Sequence, residues 1–120
     1  MNEIFDPKRT LDQNRLLWPL LRDFAQQIPW HHTENGKWVL GPMQAASWKA
    51  VLTAAFERET EMAAGIDGGQ VMVGASTSNY GIRKMADFLN FMYAQGNEMG
   101  VQWSRKSEES IAQVAGRKAA

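Results

Sequence analysis

Three hydroxyls in a row, Ser76-Thr77-Ser78, stand just ahead of a helical stretch whose opening turns carry Arg83 and Lys84. A helix N-terminus presents free backbone N–H groups and the positive end of the helix dipole, so hydroxyls and cations gathered there suit a phosphate. Ordinary N-capping by one hydroxyl is the competing reading, and both stay open at this point. A second polar group, Asp12-Gln13-Asn14-Arg15, follows Lys8-Arg9. Its cations suit phosphates and its amides suit base edges, while a capping box with a solvated surface is the simpler reading. The five Trp can stack on unpaired bases. Trp18 and Trp48 lie on or near apolar helix faces, which leaves Trp30, Trp38 and Trp103, beside loops, as the more exposed rings.

Signals for catalysis are weaker. His31-His32 lacks the i, i+4 or alternating spacing of metal ligands and has only Glu34 nearby. Glu57, Glu59 and Glu61 resemble an acidic nuclease cluster, but steps of two residues scatter side chains around a helix. There is no phosphate-binding glycine loop, nucleophile elbow or zinc-finger spacing. The residues favour a binding module over an enzyme, with no metal and no cofactor.

The elements that must position these groups belong to a short chain. It has 120 residues, 13 Lys plus Arg against 13 Asp plus Glu, 44% apolar residues and no cysteine. That length suits one domain, and the apolar content suits a real core. Zero net charge excludes binding an anion through the field of the whole protein, so a local patch is required. Eight of the thirteen cations form adjacent pairs: Lys8-Arg9, Arg83-Lys84, Arg105-Lys106 and Arg117-Lys118. No disulfide framework or thiolate site is possible without cysteine. No apolar run approaches the roughly 18 residues of a membrane span, so a soluble, cytoplasmic protein with no membrane partner is expected.

Residues 1–7 read as a mobile arm. Thr10 and Gln13 form a capping box for a first helix with Leu17, Leu20, Leu21, Phe24 and Ile28 on its apolar face. Pro19 inside it predicts a kink or a late start, and Pro29 ends it. Residues 30–41 read as a loop or short hairpin around Asn35-Gly36. A second helix opens at Gly41-Pro42, buries Trp48, Leu52 and Phe56, and runs to about Thr60. Gly65–Gly69 reads as a turn before a strand at Val71–Val73. The longest helix spans about Tyr80 to Glu98, with Gly96 and Gly100 as stop signals. Phe88 and Phe91 lie off its main stripe, which predicts burial on two sides and a second copy of the chain against them. A short final helix or tail follows from about residue 106, with a helix start near Ser107. The fold class is α+β, a helix-dominated single small domain with a few short strands.

Read in order, RTLDQNRLLWPLL at 9–21, SWKAVLTAA at 47–55, DGGQVMVGASTS at 67–78 and GVQWS at 100–104 resemble the NinB family. The likeness covers about residues 8 to 105, and the ordered set of motifs carries it. It implies a NinB-like DNA-binding domain over 8–105 and an intertwined homodimer, with Phe88 and Phe91 as candidate interface residues. It further implies a phage or prophage recombination mediator in the bacterial cytoplasm that prefers single-stranded or partly single-stranded DNA. Such a protein would help load a recombinase onto strands coated by host single-strand-binding protein, without catalytic turnover. Arg9, Gln13, Asn14, Arg15, Trp48, Lys49, Ser76, Thr77 and Ser78 fall in the shared motifs and become candidate nucleic-acid contacts, joined by Arg83 and Lys84 for their charge. The family carries a longer segment ahead of its first motif, so contacts made by that segment are not expected here. A metal-dependent DNA-processing enzyme and a protein-only adaptor are the alternative functions.

Overall fold

Leu17, Leu20, Leu21 and Phe24 share one side of the first helix, α1 (Leu17–Gln27), and none has any solvent exposure. They form the centre of the fold in a computed structural model that describes residues 15–58, 61–73, 77 and 80–119. The arm at 1–7 and the Thr10–Gln13 capping box lie outside the described residues. Pro19 is the third residue of α1, where its missing N–H has no acceptor within the helix in any case. A late start therefore accommodates it. Ile28 closes α1 in an extended conformation, donating its N–H to the Phe24 carbonyl at 2.9 Å.

Strands β1 (Trp30–Glu34) and β2 (Lys37–Gly41) form an antiparallel hairpin with Glu34 opposite Lys37. The two-residue loop takes Asn35 at φ 53° and Gly36 at φ 78°. Both residues thus adopt the left-handed geometry that matches strand twist. Helix α2 (Ala45–Glu57) starts later and ends earlier than its apolar pattern suggests, because Arg58 turns left-handed at φ 63°.

A second antiparallel hairpin follows, β3 (Glu61–Ala64) with β4 (Gln70–Val73), around left-handed Gly68 and Gly69. Glu-Met-Ala-Ala is made of strong helix formers, which hides β3 from a propensity argument. Among the described residues neither hairpin lies along a helix. The first is tied to the body by Trp30, whose ring centroid is 5.1 Å from that of Trp48.

Helix α3 (Ile82–Met99) ends in a Schellman turn at Gly100, φ 87°. There the Val101 N–H reaches the Gly96 carbonyl at 2.8 Å and the Gly100 N–H reaches that of Asn97 at 3.3 Å. Gly96 is not a stop. It lies inside the helix, where the Trp103 ring takes the space a side chain would need. Helix α4 (Arg105–Ala119) begins two residues ahead of Ser107.

Helices α1 and α3 each pack against the other three, while among the described residues α2 and α4 do not meet. This arrangement corrects the expectation for Phe88. Its ring is fully buried within the chain, 5.2 Å from Phe56 and 5.9 Å from Tyr80 between centroids. Phe91, half-buried, also meets Phe56 at 5.4 Å. The second apolar side of α3 is covered by α2 of the same chain. Phe88 therefore has no surface for a second copy. No described helix is long and apolar enough to cross a membrane.

Candidate nucleic-acid interface

Sequence neighbours on a helix point in different directions, and α2 uses this to separate two candidate contacts. Trp48 turns inward, fully buried between Phe24 at 5.0 Å and Trp30 at 5.1 Å. In that position it offers no face to a base, and its buried indole N–H has no acceptor among the described residues. Lys49 turns outward, its Nζ 5.7 Å from the centre of the Trp18 ring on α1. Arg15, exposed, stands one helical turn ahead of Trp18. The structure thus joins Lys49 to an aromatic ring that apolar spacing had assigned to the core stripe. An Arg15/Trp18 spacing of three residues was the available signal. Of the other motif residues in this region, Arg9, Gln13 and Asn14 lie outside the described residues.

The second candidate group surrounds the start of α3. Thr77 is only 2% exposed, and its carbonyl accepts the Tyr80 N–H at 3.0 Å in a turn ahead of the helix. Gly81 occupies the N-cap position without a side-chain cap. Thr77 is therefore buried rather than presented at the surface, while Ser76 and Ser78 lie outside the described residues. Buried Tyr80 donates its hydroxyl to the Glu57 carboxylate. Burial first, and then the Glu57 bond and charge, push the Tyr80 pKa well above its ordinary value, so the phenol stays a neutral donor. Lys84 approaches the same Glu57 oxygen at 3.7 Å and lies 4.6 Å over the Tyr80 ring. Its charge is shared with a carboxylate before any phosphate arrives, and Arg83 on the preceding position is exposed.

Glu57 closes α2 and serves Tyr80 and Lys84, Glu59 lies outside the described residues, and Glu61 opens β3. The three do not share one helix. His32 bonds the Trp30 carbonyl and the Glu34 carboxylate, each at 2.9 Å, and both bonds raise its pKa. Among the described residues no three His, Asp or Glu side chains gather as a metal site.

The closing motif, Gly100–Ser104, holds helices together. Gln102 exchanges two bonds with the Gln27 side chain, at 2.7 and 2.8 Å. Trp103 stacks on Tyr93 at 5.3 Å, meets Phe24 edge-on, and donates its indole N–H to Asn97 at 2.8 Å. Buried Asp23 on α1 accepts the Ser104 N–H at 2.9 Å and the Ser107 hydroxyl at 2.6 Å, capping α4 from another helix. Beside this cap a cleft of about 220 Å³ is lined by Arg22 and Gln26 of α1 and Lys106 of α4. Arg22 was not distinguished by any sequence motif.

The NinB protein family matches residues 1–104. The ninB protein of Escherichia phage lambda is 39% identical over 108 residues, covering 90% of this chain and 68% of that protein. Salmonella phage P22 ninB shows the same identity with 69% of its length covered, and the P21 prophage-derived NinB of Escherichia coli O6:H1 is equally similar. A solved NinB structure from structural genomics superimposes with a TM-score of 0.62 at 36% identity, covering 90% of this chain and 75% of that one. With the match running from the first motif through the Gly100–Ser104 segment that locks α1 to α4, the chain belongs to the NinB family.

Proposed function

We propose that this protein is a recombination mediator that binds DNA, preferring single strands, and assists recombinase loading on strands coated with single-strand-binding protein in the bacterial cytoplasm. It acts without catalytic turnover. The observation that carries this reading is Lys49 seated over the Trp18 ring, with Arg15 one turn away. Cations neutralise phosphates and a neighbouring ring stacks on an unpaired base, so the pairing suits an exposed single strand better than a closed duplex. Since the whole chain is neutral, affinity comes from this local patch and is modest and salt-sensitive.

A homodimer is part of the proposal. Its support is the β3–β4 hairpin, where Ile66 is 100% exposed and Met62, Val71 and Val73 are also exposed with few charges between them. An isolated two-stranded hairpin is marginal in water, and an apolar partner surface would stabilise it. Sedimentation equilibrium tests this point, with a monomer at micromolar concentration counting against it.

Gel-shift titration with single- and double-stranded oligonucleotides tests the DNA reading. Tighter binding of the single strand, weakening as salt rises, is expected. No binding at low salt, or affinity independent of salt, overturns it. Capture of single-strand-binding protein by an Arg15→Ala, Lys49→Ala variant that no longer binds DNA would mark the protein as an adaptor instead.

A further inference from the structure

We propose that the outward face of the β1–β2 hairpin is a stacking platform for unpaired bases, centred on Trp38 and His31. The assignment rests on the DNA-binding reading above and adds a surface to it, separate from the Lys49–Trp18 pair.

The register decides which side chains share that face. His31 is opposite Leu40 and Thr33 is opposite Trp38, and side chains alternate along each strand. These four residues therefore stand on one side, and all are exposed, Trp38 at 75% and Leu40 at 61%. The other side carries Trp30, His32, Glu34, Lys37 and Val39. It is the side that Trp30 anchors on Trp48 in the core. A large ring on the opposite side is thus held out in water by a rigid two-residue turn, and nothing in the described fold covers it.

Size, spacing and charge select the occupant. Two five-residue strands offer a strip about 17 Å long and 10 Å wide. That is far less than the roughly 800 Å² per partner of a stable protein interface. Alternate residues on a strand are about 7 Å apart, twice the 3.4 Å step of stacked bases, so a ring can enter between two bases of a single strand. The hairpin's one carboxylate, Glu34, is on the other side and bound to His32, with its cross-strand partner Lys37 on that same side at the tip. The face therefore carries no carboxylate to repel a polyanion, and its rings and apolar side chains suit bases rather than phosphates. The β3–β4 hairpin, by contrast, presents aliphatic and thioether side chains but no ring.

The test measures binding of an oligothymidylate and of an abasic strand of equal length, by fluorescence anisotropy across a salt series. It compares the full chain with W38A and W38F, after circular dichroism shows each variant folded. W38A should weaken oligothymidylate binding by about 5- to 150-fold, the range of one lost stacking contact, with the salt slope unchanged. W38F should retain much of the affinity, and neither variant should differ from the parent on the abasic strand. Parent protein that binds oligothymidylate no better than W38A overturns the assignment and leaves the DNA-binding reading intact. Parent protein that binds neither strand at low salt overturns both. A loss that is equal on the two strands and comes with a lower sedimenting mass assigns the face to a protein contact and overturns the platform.

Discussion

The Trp103 ring lies where the side chain of residue 96 would be, and only the absence of a Cβ at Gly96 lets α3 and the closing extended segment come together. Phe24 closes the same site, 3.3 Å from the position a Cβ would take. Gly96→Ala gains about 1 kcal/mol of helix propensity. It must also displace a ring that is stacked on Tyr93 and bonded to Asn97. Overpacking of this kind costs about 1–3 kcal/mol, so net destabilisation in urea unfolding is expected. In a double-mutant cycle, Trp103→Ala should remove most of the penalty of Gly96→Ala.

Asp23 caps α4 from α1, bonding the Ser104 N–H and the Ser107 hydroxyl. Asp23→Ala leaves the buried Ser107 hydroxyl and the part-buried Ser104 N–H without this acceptor and should destabilise the protein by about 1–3 kcal/mol. Hydrogen exchange should show the loss concentrated in the first turns of α4, with α2 less affected, because α2 and α4 do not meet. Uniform loss of protection would count against this account.

His32 bonds two acceptors, the Trp30 carbonyl and the Glu34 carboxylate, and only imidazolium donates to both. Its folded-state pKa is raised above 6.5, chiefly by the Trp30 carbonyl and then by Glu34. The contribution to hairpin stability is therefore complete below the ordinary value and is lost as pH rises through the raised one. Imidazole nitrogen shifts measured by NMR should place the His32 midpoint above 6.5, and Glu34→Gln should lower it.

Tyr80 and Lys84 meet on Glu57, joining the end of α2 to the start of α3 at the root of the β3–β4 hairpin. Tyr80→Phe keeps the ring packing on Phe56 and Phe88 but removes the hydroxyl, at an expected cost of about 1 kcal/mol. The phenol's raised pKa adds stability that is present below the ordinary value of 10.0 and is lost only as pH rises through the higher folded value. Absorbance titration of wild type against Tyr80→Phe should show no Tyr80 ionisation until pH is well above 10.0.

Lys49→Ala should weaken single-strand binding and flatten the plot of log affinity against log salt by about 1, the signature of one lost phosphate contact. Lys84→Ala should leave the salt slope nearly unchanged, because that ammonium already shares Glu57. A slope reduced by about 1 in Lys84→Ala would contradict this account.

Much of the fold is written in local pattern. The Leu17–Phe24 stripe, the Asn35-Gly36 turn and the Gly100 helix end follow from periodicity and from backbone angles that few residues adopt. Strand β3 does not, because Glu61–Ala64 prefers helix in isolation and becomes a strand only by pairing with Gln70–Val73. The candidate site divides in the same way. Cationic and aromatic residue types are visible from the chain, but the inward turn of Trp48 and the outward turn of Lys49 depend on where α1 lies.

By itself the sequence determined the family, through an ordered set of motifs, and the elements whose signals lie within a few residues of one another. Tertiary structure alone decided that Phe88 is covered by Phe56 of the same chain, that Gly96 receives Trp103, and that Asp23 caps a helix 84 residues away. The physical reason is range. Backbone propensity acts over one turn, whereas burial and hydrogen-bond satisfaction are settled by whichever distant segment arrives to fill the space.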